Sequence, residues 1–137
     1  VRLIAKRSGR AVAVGELVER LVGFHDGRTD GATVVADFRR SVLLVPLNDG
    51  EPMAADSGGV RWLYAFTGEA SLKSFAVSRK MAAVVDYWTV YGARLLDVAV
   101  PAMGVPAGVA VDVAGPAPFL LPPVAGIVPA AVAVDRG

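Results

Sequence analysis

Residues 113 to 134 contain no charged side chain, and that run limits what the chain can become more than any other feature. About 20 apolar residues suffice to cross a bilayer, so length alone allows a membrane span. Five prolines argue against it: Pro116, Pro118, Pro122, Pro123 and Pro129 each lack an amide hydrogen. In hydrocarbon every interrupted helical bond must be satisfied by other protein groups, and a lone span has no neighbour to supply them. The run therefore reads as buried strands and turns.

Basic residues at the other end raise the question of export. Arg2, Lys6, Arg7 and Arg10 precede only four apolar residues before Gly15 and Glu16, short of the roughly 7–15 that a secretory h-region needs. Residues 1–15 are expected to be a basic N-terminal arm or an expression remnant, with residues 1–10 mobile and Val1 not the native start. A phosphate-contacting role for four cations without aromatic partners yields to the ordinary behaviour of a solvated terminus. The remainder, 16–137, is expected to be a single domain in the cytoplasm. A chain of 137 residues that is 54% hydrophobic can bury a core without staples. The lack of cysteine removes disulfides, zinc–thiolate sites and cysteine nucleophiles. A formal charge of +1 gives no field that would gather nucleic acid or an acidic substrate.

Periodicity then divides the domain. Leu17, Leu21 and Phe24, with Val18 and Val22 alongside, predict a helix over 16–24, and Val34, Val35 and Phe38 a second over 32–40. From Ser41 the pattern shortens to Val42, Leu43, Leu44 and Val45, a strand covered on both faces that ends at Pro46. Asn48-Asp49-Gly50 reads as a three-residue hairpin loop with its glycine left-handed, returning through Pro52 to Ala55 at a sheet edge. Asp56 to Gly59 makes a second turn into a central strand, 60–66, with Val60, Trp62, Tyr64 and Phe66 on one face. Thr67 is the expected N-cap of a helix over 68–77. A strand over 82–90 follows, then a helix over 92–100 that stops before Pro101. Short strands at 109–113 and 119–121 close the chain.

Candidate chemistry is sparse. His25, the only histidine, lies near Asp26 and Asp30, but a polar interhelical loop is a poor place to hold the three or more rigid ligands a metal needs. No serine stands in a Gly-x-Ser-x-Gly elbow, and Gly58-Gly59 lacks the lysine of a phosphate-cradling loop. Trp62, Tyr64, Phe66, Tyr87, Trp88 and Tyr91 lie on two strands as aromatic core, with a stacking platform the alternative. Glu51, Asp56, Arg61 and Glu69 are the polar groups available at one end of the sheet for a small ligand or substrate.

The order of elements also carries a resemblance. Two helices precede Leu44-Val45-Pro46-Leu47, an acidic turn, the Ala55-Asp56-Ser57-Gly58-Gly59 stretch and Trp62 through Thr67. Farther on come Gly92-Ala93-Arg94-Leu95-Leu96, Val111-Asp112, Gly115-Pro116 and Leu121-Pro122-Pro123. This succession, over roughly residues 16 to 134, resembles the SseB protein N-terminal domain family. The resemblance implies an α+β domain of unassigned biochemistry and supplies no catalytic residues.

These readings converge on an α+β fold: a small mixed, mainly antiparallel sheet with an N-terminal helical pair and further short helices packed on it. The expected role is a non-enzymatic interaction or regulatory domain. Its partner is a protein or a second copy, with no nucleic acid, membrane, cofactor or metal. Apolar residues in the proline-rich C-terminal third are expected to exceed what one core hides, since exposed apolar patches mark partner sites. The alternative is a small-molecule binder or enzyme using Glu51, Asp56, Arg61 and Glu69.

Overall fold

Strand β2 (Val42–Asn48) grows from the unbroken apolar run after Ser41 and is buried from Val42 to Pro46. A computed structural model describes residues 1–7 and 15–135. The elements around β2 are β1 (Arg2–Arg7), α1 (Gly15–His25), α2 (Gly31–Arg40), β3 (Glu51–Pro52), β4 (Ala54–Ser57), β5 (Val60–Ala65), α3 (Glu69–Ser78) and β6 (Val84–Tyr91). Next come α4 (Gly92–Arg94), a wide π-helical turn (Leu95–Ala99), α5 (Val100–Ala102), β7 (Ala107–Val111), β8 (Phe119–Leu121) and a 3-10 turn (Ala130–Val132). Among the described residues no helix is long and apolar enough to cross a membrane.

The strands form two four-stranded sheets, ordered β1-β6-β2-β3 and β4-β5-β7-β8, rather than one. Both are mixed: β1 runs parallel to β6 and β5 to β7, and the other pairings are antiparallel. Leu44 and Phe66 join them by reciprocal backbone bonds of 2.8 Å. The chain over 51–57 wedges between the sheets, pairing first with β2 and then with β5. At the changeover Met53 N donates to the Pro46 carbonyl while the Met53 carbonyl accepts from Tyr64 N. Pro46, which has no hydrogen to give, thus sits where the ladder asks for none, and β2 continues past it to Asn48.

Helices cover both faces. On one, Leu17 and Leu21 of α1 and Val34 and Phe38 of α2 pack against Leu43, Val45, Leu63 and Val109. On the other, Leu72 and Phe75 of α3 meet Leu44, Tyr64, Phe66 and Tyr87, with the Tyr64 and Phe66 rings 4.8 and 5.0 Å from Phe75. Fully burying one such side chain is worth about 2 kcal/mol, so the period-2 patterns of β2 and β5 fix which residues face which helical layer.

Several expectations need correction. Residues 2–7 are not a mobile arm but edge strand β1, with Leu3 packed on the second core cluster and Lys6 Nζ 3.7 Å from Asp86. The Leu3 and Ile4 pair between the cations is the strand's local mark. The arm's residues 8–14, including Arg10, and residues 136–137 lie outside the described residues. The first hairpin has a two-residue loop, because Asn48 pairs with Glu51. Asp49 and Gly50, at φ 53° and 81°, supply the doubly left-handed turn that matches strand twist. Thr67 does not cap α3. Gly68 holds that position, and Thr67 is bonded to Asp112 instead. The helix after β6 does not stop before Pro101 but runs to Ala102. The ladder widens ahead of the proline, with Val100 N donating to Leu95 O, so the ring enters without a conventional bond to break.

The proline-rich C-terminal third is divided between core and surface. Ala117, Leu121, Val128 and Ala133 are buried in the core around Leu43 and Val109, whereas Val98, Val105, Leu120 and Val134 are exposed.

Candidate functional site

Among the described residues, two concavities each carry a pair of exposed apolar side chains, Val18 with Val22 and Tyr91 with Val98. The first follows from helix α1. Its apolar positions span more than the core can cover: Leu17 and Leu21 are buried, whereas Val18 and Val22, one turn apart, remain 40% and 37% exposed. Beside them opens a shallow groove of about 440 Å3, bordered by Ala70, Ser71 and Ser74 of α3 and by Ala114 and Pro116. Asp112 and Thr67 lie at its base. Asp112, at φ 50° and 8% exposed, accepts from Thr67 N at 2.9 Å and from Thr67 Oγ1 at 2.7 Å. This buried carboxylate is fully engaged in tying the end of β7 to the entry of α3.

The second concavity lies on the face of β2 and β6 that α1 and α2 leave open. The helical stretch 92–102 flanks it, held to α2 from three directions. Gly92 N donates to Ser41 O at 2.8 Å. A Cβ on Gly92 would collide with the Phe38 carbonyl, and Arg39 grips the Asp97 carboxylate through both terminal nitrogens, at 3.2 and 2.6 Å. The resulting groove encloses about 470 Å3, within the usual range for ligand sites. Its walls are Val45, Leu63, Trp88, Val90, Leu95 and Val98, with Glu51 and Arg94 among its polar residues.

The four polar residues singled out in the sequence do not share a site. Asp56 and Arg61 face each other across the β4–β5 pair, with Arg61 Nε donating to Asp56 Oδ1 at 2.8 Å and Nη2 to Oδ2 at 3.2 Å. The guanidinium holds the Asp56 carboxyl below its ordinary pKa. Glu51 stands at the second groove, and Glu69 accepts from Tyr87 Oη at 3.3 Å. Burial, then the charge of Glu69 and its hydrogen bond, raises the Tyr87 phenol.

The residues around His25 are dispersed among structural duties. His25 Nε2 is bonded to Pro118 O at 2.6 Å, Asp26 pairs with Arg28, and Asp30 caps α2 by accepting from Thr33 N at 2.7 Å. That amide, with the Thr33 side chain, holds the Asp30 carboxyl below its usual pKa. Among the described residues no three potential ligands gather around a metal position. Of the aromatic residues, Tyr64, Phe66 and Tyr87 are buried, Trp62 and Trp88 half-buried, and Tyr91 exposed.

Sequence reasoning did not single out Asp37, Arg94 or the pairing role of Asp112. Asp37, with only 5% of its side chain exposed, joins the helical pair by accepting from Arg20 Nε at 2.9 Å and from Arg40. An acid at the centre of an amphipathic helix between Val34 and Phe38 was the available signal.

The sequence profile of the SseB protein N-terminal domain matches residues 17–125. No curated protein and no solved structure matches the chain.

Proposed function

The chain belongs to the SseB protein N-terminal domain family, and from that premise we propose that it is a non-enzymatic, cytoplasmic interaction or regulatory domain. Its partner is a protein, or a second copy of itself, and neither nucleic acid nor a membrane. The observation that carries this reading is the outer strip of α1. Val18 and Val22 stand exposed at helical spacing beside an apolar groove, although Leu17 and Leu21 already supply the helix's core contacts. Apolar patches rimmed by polar residues mark protein contacts more than isolated exposed side chains do. Glu19 and Arg20 provide such a rim.

The test combines hydrodynamic mass with affinity capture, using wild type and a Val18→Glu/Val22→Glu variant whose circular dichroism is unchanged. A dimer, or a stoichiometric protein retained by wild type and lost from the variant, supports the reading. A monomer that retains nothing, or a partner held equally by both, counts against it.

A further inference from the structure

The groove beside β6 has features that the strip on α1 lacks. It is elongated. Val42 pairs with Tyr91 at one end of β2, and Asn48 pairs with Glu51 at the other. Six residue steps along the strand amount to about 20 Å. Its polar residues differ in sign: Glu51 stands by the hairpin, while Arg94 lies three residues after Tyr91 at the opposite end, with Trp88, paired to Val45, between.

Arg94 is also unlike most of the other arginines. Arg20 and Arg40 share Asp37, Arg28 holds Asp26, Arg39 holds Asp97 and Arg61 holds Asp56. Arg79 lies over the Phe75 ring, 4.9 Å from its centroid. Arg94 has no hydrogen bond, ion pair or ring partner among the described residues. It is nevertheless displayed from the helical stretch that Gly92 and the Arg39–Asp97 bridge fix in place. Leu95 and Val98, within the π-helical turn that begins one residue later, form part of the groove wall. Such turns recur at functional sites.

We propose that this groove binds an elongated carboxylate anion, its apolar chain lying along Trp88 and Val98 and its head on the Arg94 guanidinium. The charge fixes the orientation, because a head at the other end would meet Glu51. The planar guanidinium fork matches a carboxylate with two parallel hydrogen bonds. A cleft of about 470 Å3 suits a small amphiphile rather than a folded chain. This site is independent of the α1 strip and survives if the proposed protein partner is not found.

The probe is decanoate, held below its micellar concentration and titrated into the whole protein while Trp88 fluorescence is followed in a Trp62→Phe background. Decyltrimethylammonium is the control of equal chain length and opposite charge. Saturable one-to-one binding is expected, with decyltrimethylammonium weaker. Arg94→Gln should weaken decanoate about tenfold, the loss of roughly one charge-assisted bond. Val98→Asp should abolish binding, and Glu51→Gln should leave it equal or tighter. Both Arg94 and Val98 are exposed, so both variants are expected to fold, and circular dichroism checks this. Decanoate that fails to saturate overturns the proposal. So does equal binding to wild type and Arg94→Gln, a preference for the cationic amphiphile, or binding confined to anionic vesicles.

Discussion

Replacing Asp112 separates two physical effects that meet at one residue. Its carboxylate accepts from the amide and the hydroxyl of a Thr67 that is only 4% exposed, and its backbone occupies the left-handed region. Alanine removes both acceptors and leaves the buried Thr67 N–H unpaired, which costs about 1–3 kcal/mol. The second bond adds about 1 kcal/mol, and the left-handed conformation costs alanine about 1 kcal/mol more than it costs glycine. Because the wild-type aspartate bears the same backbone cost, Asp112→Ala should lose about 2–4 kcal/mol, and Asp112→Gly about 1 kcal/mol less. Asp112→Asn keeps the shape, tolerates the backbone and retains an acceptor, so exchanging charged for neutral bonds costs about 1–2 kcal/mol. Urea unfolding followed by tryptophan emission should rank the variants Asn above Gly above Ala at unchanged m-value. At this chain length the midpoint temperature should fall by about 4 °C per kcal/mol. Equal stability of Asn and Ala would refute the hydrogen-bond assignment, and equal stability of Gly and Ala would refute the backbone one.

Gly92→Ala forces a Cβ against the Phe38 carbonyl and should destabilise by about 3 kcal/mol; calorimetry finding less than about 1 kcal/mol would show that the helical stretch shifts freely on α2. Asp30 has a depressed folded pKa, so its stabilising effect is complete above the unfolded value of about 3.9 and disappears as pH falls through the folded value. The gap in melting temperature between wild type and Asp30→Ala should be constant near neutrality and close in acid, and a flat gap would exclude the cap as its origin. The Asp56–Arg61 pair is exposed, so Asp56→Asn should leave the thermal midpoint unchanged at physiological salt, where surface pairs contribute little.

The α+β class and most element positions were legible because they rest on local periodicity, and the family because the order of short motifs resembles it. Val42–Val45 and Val60–Phe66 announce buried strands wherever they dock, and Asp49-Gly50 announces a turn. Long-range partners left weaker marks. Nothing local to Thr67 distinguishes a helix cap from a residue held by Asp112, because the competing carboxylate is supplied by β7's exit. Pro101 reads as a helix stop unless the turn before it can widen. The polar residues expected at one sheet end were dispersed because sheet order decides which strand ends are neighbours, and hydropathy does not encode sheet order. Arg94, which stands in the Gly92–Leu96 motif, carries no local mark of a binding role for a related reason. An unpaired cation is conspicuous only once most of the other arginines are seen to hold their partners.

Strand β1 precedes the other described elements, yet its one partner strand among the described residues begins at Val84. On a translating ribosome it must wait for β6 before any of its ladder can close. Long loops of this kind slow folding by the entropy of their closure. In the finished protein, β1 shields the edge of β6. Its release would expose a row of unsatisfied amides and carbonyls on β6, an edge that β1 of another molecule would fit in the same register. The parallel β1–β6 pairing thus opens a route to misassembly, the exchange of β1 between copies.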